Sequence, residues 1–274
     1  MEQRVLTEKA IDLLKSLISI QSFSSEEDKT ADTIENWFKS FNIPFKRENN
    51  NIYAFNKFYD ENKPTLLLNS HHDTVKPNTA YTNDPFHPHI EDGKLFGLGS
   101  NDAGGPLVSL IATFTHFYEA EDLNHNIIIV ASAEEESSGP NGLNSMLAIL
   151  PKIDVAIVAQ VNLVIDVRVN DKYSNKEIRD ILQKEAPCEL KPRSLRLNSS
   201  AIDKNHPLVQ SGIALGRETY GSPTLSDQAA LSCQSLKLGP GDSTRSHSAN
   251  EFIYVNEIEE GIDLYIKILK GFLQ

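Results

Sequence analysis

The chain has 274 residues, enough to bury a sizeable core, and 26 basic against 38 acidic residues leave a formal net charge of −12. That balance disfavours nucleic acid or an anionic membrane as the main partner. No stretch is apolar enough to span a bilayer, the Met1–Arg4 start lacks an apolar signal core, and Cys188 and Cys233 stand far apart. A cytoplasmic protein without disulfides or a thiolate metal knuckle is therefore expected.

Apolar residues Ala10, Leu13, Leu14, Leu17 and Ile18 recur at helical spacing and predict a first helix with one buried face. Ser24, with Glu27 three residues on, reads as a capping box for a second helix that turns Ile34, Trp37 and Phe38 inward and closes at Pro44. Ile52 to Phe55 predicts a short strand. The pivotal stretch runs from Thr65 to Val75: an apolar segment, Leu66-Leu67-Leu68, stops abruptly at His71-His72-Asp73. It predicts a buried strand whose C-terminal end carries chemistry.

Two prolines make Asp84 to Pro88 a loop, and Asp92-Gly93 marks a hairpin turn. Gly104-Gly105-Pro106 opens a helix through Leu107, Leu110, Ile111 and Phe114. Asn126 to Ala131 is a second apolar strand, and it leads into Glu134-Glu135-Glu136. Asn141 to Leu150 reads as a short helix stopped by Pro151, and Val155 to Val158 as a third buried strand. Strands alternating with helices predict an α/β fold, a mainly parallel mixed sheet with helices on both faces.

Beyond Gln160 the texture changes. Asn162 to Val169 alternates like a half-exposed strand, Asn175 to Glu185 is a polar helix, and Leu190 to Leu197 reads as another strand, together a small α+β patch. The helix-rich texture returns from His206 and ends in an amphipathic helix through Ile258, Ile262, Leu264, Ile266 and Leu269.

Four groups of metal-ligating type sit after apolar strands or in glycine-rich loops: His71-His72-Asp73, Asn101-Asp102, Glu134-Glu135-Glu136 and Ser246-His247. Each has a plain reading alone. A His-His-Asp run can cap a strand, Asp102 can cap the following helix, three glutamates are usually a solvated charge run, and His247 by itself reads as a loop histidine. Strand ends of a parallel sheet bring such groups to one edge, so their joint occurrence points to a single site. Nitrogen and oxygen donors without thiolates suit zinc, with cobalt or manganese as substitutes. A serine hydrolase built on Gly241-Asp242-Ser243-Thr244 lacks the G-x-S-x-G elbow, and Gly97-Leu98-Gly99 lacks the third glycine of a dinucleotide fingerprint.

The stretches LLLNSHHDTVKP, NDPFHPHIEDGKLFGLGSNDAGG, ASAEEESSGPNG, IDVRV and GPGDSTRSHSANEFI follow one another in the order of a known family. The chain resembles the di-zinc amidohydrolases that include acetylornithine deacetylase, succinyl-diaminopimelate desuccinylase, aminoacylases and glutamate-releasing carboxypeptidases. The resemblance implies that His71 binds one zinc, Asp102 bridges two, and Glu136 and His247 hold the other. It makes Glu135 the general base and Asp73 the carboxylate that orients His71.

Two departures follow from the same comparison. The family places a ligating carboxylate where this chain has Gln160, a poor zinc ligand, which weakens the site of His71 and leaves Asp102, Glu136 and His247 as the better-supported one. The family's inserted lid, its dimer interface, corresponds here only to residues 161–197, between catalytic segments 1–160 and 198–274. A monomer with impaired hydrolysis of an N-acyl amino acid is expected, acetylornithine being the first choice of substrate, and a non-catalytic metal-binding domain is the alternative. Arg168 and Arg245 are weighed as partners for a substrate carboxylate against a salt bridge and a solvated loop.

Overall fold

The computed structural model describes residues 3–159, 174, 176–177, 199–221, 226–246 and 248–273. In chain order the strands are β1 (Lys46–Glu48), β2 (Asn51–Phe55), β3 (Thr65–His71), β4 (His89–Glu91), β5 (Lys94–Phe96), β6 (Asn126–Ser132), β7 (Val155–Val158), β8 (Gln234–Lys237) and β9 (Phe252–Tyr254). Among the described residues the α-helices are α1 (Gln3–Ile18), α2 (Asp28–Ser40), α3 (Gly105–Phe117), α4 (Leu143–Met146), α5 (Pro207–Ala214) and α6 (Val255–Leu273).

The main sheet has the order β1-β2-β6-β3-β7-β8, and β4-β5-β9 form a small antiparallel sheet. Strands β6, β3, β7 and β8 run parallel, while β2 pairs antiparallel to β6. Every residue of β3 and β6 is buried, which explains why both read as unbroken apolar runs rather than alternating ones. The pleat divides them between two cores. Leu66, Leu68, Ile127 and Ile129 join the core built with α1, α2, α3 and α6, whereas Leu67, Ile128 and Val130 face Leu143 and Met146 of α4. The expected mixed sheet covered on both faces is the one observed.

From β3 the chain crosses to β6 on one side, and β7 then pairs on the other side of β3. The chain therefore switches direction at β3, and a crevice opens at the carboxyl ends of the parallel strands. The Asp92-Gly93 turn joins β4 to β5 with both residues at positive φ, 50° and 74°, as a tight hairpin requires.

Two local expectations are corrected. Ser24 and Glu27 form no capping box: α2 starts at Asp28 without a side-chain cap, Ser24 Oγ donates to Asp73 Oδ2 at 2.6 Å, and Glu27 Oε1 accepts the N–H groups of Ser25 and Glu134. Tertiary donors and acceptors take these side chains away from their own helix. The helix expected over Asn141 to Leu150 contracts to α4, with turns carrying the chain on to Leu150. Gln160, Arg168, Cys188 and nearly all of the α+β patch 161–197 lie outside the described residues. Among the described residues no helix is long and apolar enough to cross a membrane.

Candidate metal centre

His71 ends β3 and is fully buried. Its Nδ1 lies 3.0 Å from the backbone carbonyl of Asp73 and 3.3 Å from Asp73 Oδ1, so Nδ1 carries hydrogen and donates to an acceptor. The other nitrogen, Nε2, then faces Asp102 Oδ1 at 3.2 Å and Glu135 Oε2 at 3.7 Å. A nitrogen lone pair and carboxylate oxygens at these distances repel unless a proton or a cation sits among them. Burial opposes charge on the ring, yet the hydrogen bonds to Asp102 and Asp73 and the charge of Glu135 hold the His71 pKa well above its usual value.

Asp102 reaches this point from a loop. Gly99, at φ 75°, turns the chain with its α-carbon facing Thr74, where a Cβ would come within 2.7 Å of Thr74 Cγ2. The following peptides lead through a cis bond between Asp102 and Ala103 to α3. The N-cap of α3 is Gly104 and Asp102 is non-helical, at φ −121° and ψ 98°, so the capping reading of Asp102 fails. Ser246 Oγ donates to its second oxygen, Oδ2, at 2.5 Å.

The three glutamates after β6 divide their work. Glu134 turns inward at φ 54° and accepts the N–H and side-chain amide of Asn141 together with the Ser25 hydroxyl. Asp73 receives the backbone N–H of Glu135 on Oδ1 and of Glu136 on Oδ2, each at 3.0 Å. This carboxylate thus serves both His71 and the turn carrying Glu135 and Glu136. The ligand atoms of His71, Asp102 and Glu136 all lie within 4.8 Å of one another. Hard oxygens plus an imidazole nitrogen form a donor set that fits a divalent ion such as zinc, which binds such atoms at about 2.1 Å. The residues thus fit the group that the family likeness implies.

His71, assigned on sequence to the weaker half of the site, is drawn into one group with Asp102 and Glu136. His247 lies outside the described residues, as does the side chain of Ser243. Arg245 forms a two-pronged pair with Glu257, at 2.8 and 2.7 Å, and stacks over Phe252 at 5.1 Å. It is neither a solvated loop residue nor a free cation for a substrate carboxylate.

Sequence reasoning missed two acidic residues. Glu251, the residue before β9, is 1% exposed, and burial together with the Asp102 charge pushes its carboxyl up to about 8. Its place inside the motif SHSANEFI, one residue before an apolar strand, was the available signal. Asp227 accepts from Ser132 Oγ at 2.7 Å beyond the end of β6, and burial pushes it up to about 6. With Ser226, Ala230, Glu134 and Glu135 it lines a shallow cleft beside the donor group.

A nitrogen and carboxylate cluster at the carboxyl edge of a mixed α/β sheet forms a candidate metal centre. Residues 67–271 match Peptidase family M20/M25/M40, and the chain belongs to that family of metallo-hydrolases. Among curated proteins it is 29% identical over 154 residues to the succinyl-diaminopimelate desuccinylase of Beijerinckia indica, a match covering 52% of this chain and 39% of that protein. The chain spans about two fifths of the length of the curated relatives it matches. An M20 family metallo-carboxypeptidase from Sulfolobus solfataricus shares the fold with a TM-score of 0.69 at 13% identity, over 96% of this chain and 99% of that one. A dinuclear metal-binding M20 peptidase from Bacillus subtilis aligns with a TM-score of 0.68 at 12% identity, over 98% of each chain.

Proposed function

We propose that this protein hydrolyses the amide bond of an N-acyl amino acid or short peptide with the help of a divalent metal, zinc by preference and cobalt as a substitute. The observation that carries the reading is the face-to-face approach of His71 Nε2 and Asp102 Oδ1 at 3.2 Å, with Glu136 completing the donor group. His71, Asp102 and Glu136 hold the metal, and His247 extends the donor set in line with the family likeness. The metal supplies Lewis acidity, polarising the scissile carbonyl and lowering the pKa of the attacking water.

Glu135 does the proton work. Its Oε2 lies beside the donor group, and its backbone is fixed through the N–H held by Asp73. In this reading Glu135 takes the proton of the water as oxygen bonds to the carbonyl carbon, then passes it to the departing nitrogen as the C–N bond breaks. The products are a carboxylate and a free amine. Asp73 keeps His71 Nδ1 and the 135–136 turn in place and touches no reacting atom.

The similarity to desuccinylases favours a succinyl group over the acetyl group first expected, and with it a diamino dicarboxylic acid such as diaminopimelate, rather than ornithine, as the amine product. Metal analysis of the purified chain with a panel of succinyl- and acetyl-amino acids and dipeptides tests the reading. Release of amine that stops with a chelator and returns with zinc or cobalt is the expected result. Tight metal binding without turnover on any of these supports the non-catalytic alternative that Gln160 motivates, and chelator-insensitive turnover refutes the metal reading.

A further inference from the structure

Glu251 is buried beside the donor group yet takes no part in the proposed reaction. Its Oε1 accepts the N–H of Asn101 at 3.0 Å and of Asp102 at 2.8 Å, and its Oε2 faces the N–H of Gly99 at 3.4 Å. Its own carbonyl accepts from Gly97. One residue thereby gathers the N–H groups of the loop that presents Asp102. The preceding Asn250 pins the neighbouring loop by accepting the N–H groups of Thr82 and Asn83. From the opposite side Asn101 grips Asp242, accepting its N–H and donating to its carbonyl, both at 3.1 Å. The two clasps lock the 97–104 loop to the 240–251 segment that carries Ser246, whose hydroxyl reaches Asp102 Oδ2.

We propose that Glu251 is the positioning residue of the metal centre: by holding the backbone N–H groups of Asn101 and Asp102 on one oxygen, it aims Asp102 Oδ1 at His71 Nε2. This rests on the reading of His71, Asp102 and Glu136 as metal ligands. The alternative arrangement of a short polar loop, with its N–H groups turned to water, is closed to these groups because Asn101 and Asp102 are buried and each unpaired N–H is costly. What the carboxylate contributes is reach and acceptor capacity at Oε1. Charge next to Asp102 is not the useful property, since a second anion there opposes the first.

That distinction makes the test. Glu251→Gln keeps an acceptor oxygen at the same reach without an ionisable group, Glu251→Asp keeps the carboxyl but falls a methylene short, and Glu251→Ala removes the acceptor. Each variant of this chain is checked for folding by circular dichroism, then titrated with zinc in a metal buffer and with cobalt, whose visible absorption reports coordination geometry. Outer-sphere partners of metal ligands typically contribute about 10–100-fold in affinity, so the Asp and Ala variants are expected to lose that much and to shift the cobalt bands, while Gln stays within about threefold of the parent. A folded Asp or Ala variant with parental affinity and spectrum overturns the proposal, and so does a Gln variant that loses as much as Ala. Should Ala and Asp fail to fold, Gln decides alone: retention supports the proposal and a tenfold loss overturns it. If the parent chain binds neither metal, the reading of the donor group fails, an outcome distinct from any result on Glu251.

Discussion

Asp73 and Glu136 are joined by a 3.0 Å hydrogen bond from the Glu136 backbone N–H to Asp73 Oδ2, the same oxygen that receives the Ser24 hydroxyl. A residue two positions beyond the end of β3 thus sets where the turn after β6 places its side chains. Asp73→Ala frees that turn and strips His71 of an acceptor at Nδ1. Metal affinity is expected to fall by about 10–100-fold, read by zinc titration against a competing chelator.

Glu135 separates proton transfer from binding. Glu135→Gln preserves size and leaves His71, Asp102 and Glu136 untouched. Turnover is expected to drop by about 10²–10⁴-fold, the usual contribution of a general base, with KM and metal content unchanged. Measured kcat and metal stoichiometry together check this, and simultaneous loss of metal assigns Glu135 to the ligands instead.

The smaller of the two cores offers a stability test remote from the site. Leu67 is fully buried against Ile128, Leu143 and Met146 on the face covered by α4. Leu67→Ala is expected to cost about 2–5 kcal/mol, the range for a buried leucine truncated where neighbours relax incompletely. Urea unfolding followed by far-ultraviolet circular dichroism measures it.

A pH dependence follows from Asp154. Its Oδ2 accepts the Thr65 N–H at 2.9 Å at the start of β3, and its Oδ1 pairs with Lys152 at 2.5 Å. The Lys152 contact, with help from the Thr65 N–H, lowers the Asp154 pKa below its usual value. A depressed carboxyl stabilises the fold above the pKa of the unfolded chain, and that stabilisation disappears as pH falls through the folded value. The stability gap between parent and Asp154→Asn is therefore expected to be constant near neutrality and to narrow in acid, as denaturant midpoints across the acid range will show.

The strands that build the site were legible because full burial on both faces of a sheet leaves a local trace. Leu66 to Leu68, Ile127 to Val130 and Val155 to Val158 are apolar without alternation, and each appears as a buried strand. The convergence of His71, Asp102 and Glu136 was legible because they follow such runs or sit in a glycine-rich loop, and a parallel sheet carries its strand ends to one edge. The acidic Glu134 to Glu136 run resisted the ordinary solvated reading for the same reason: the chain enters it directly from a fully buried strand.

Other features depended on partners far away in sequence. Ser24 had the spacing of a helix cap, but Asp73, 49 residues on, offered it a buried acceptor. Arg245 looked like a loop cation until β9 and α6 brought Phe252 and Glu257 against it. Glu251 is marked in sequence only by its place before an apolar strand, and its role arises when the chain folds to bring it to Asp102, 149 residues away. Hydropathy and spacing determine which segments are buried and in what secondary structure, because those follow from short-range periodicity and the removal of apolar surface from water. Which oxygen meets which nitrogen was decided by the tertiary structure, because directional hydrogen bonds depend on ångström-scale placement that no local pattern encodes.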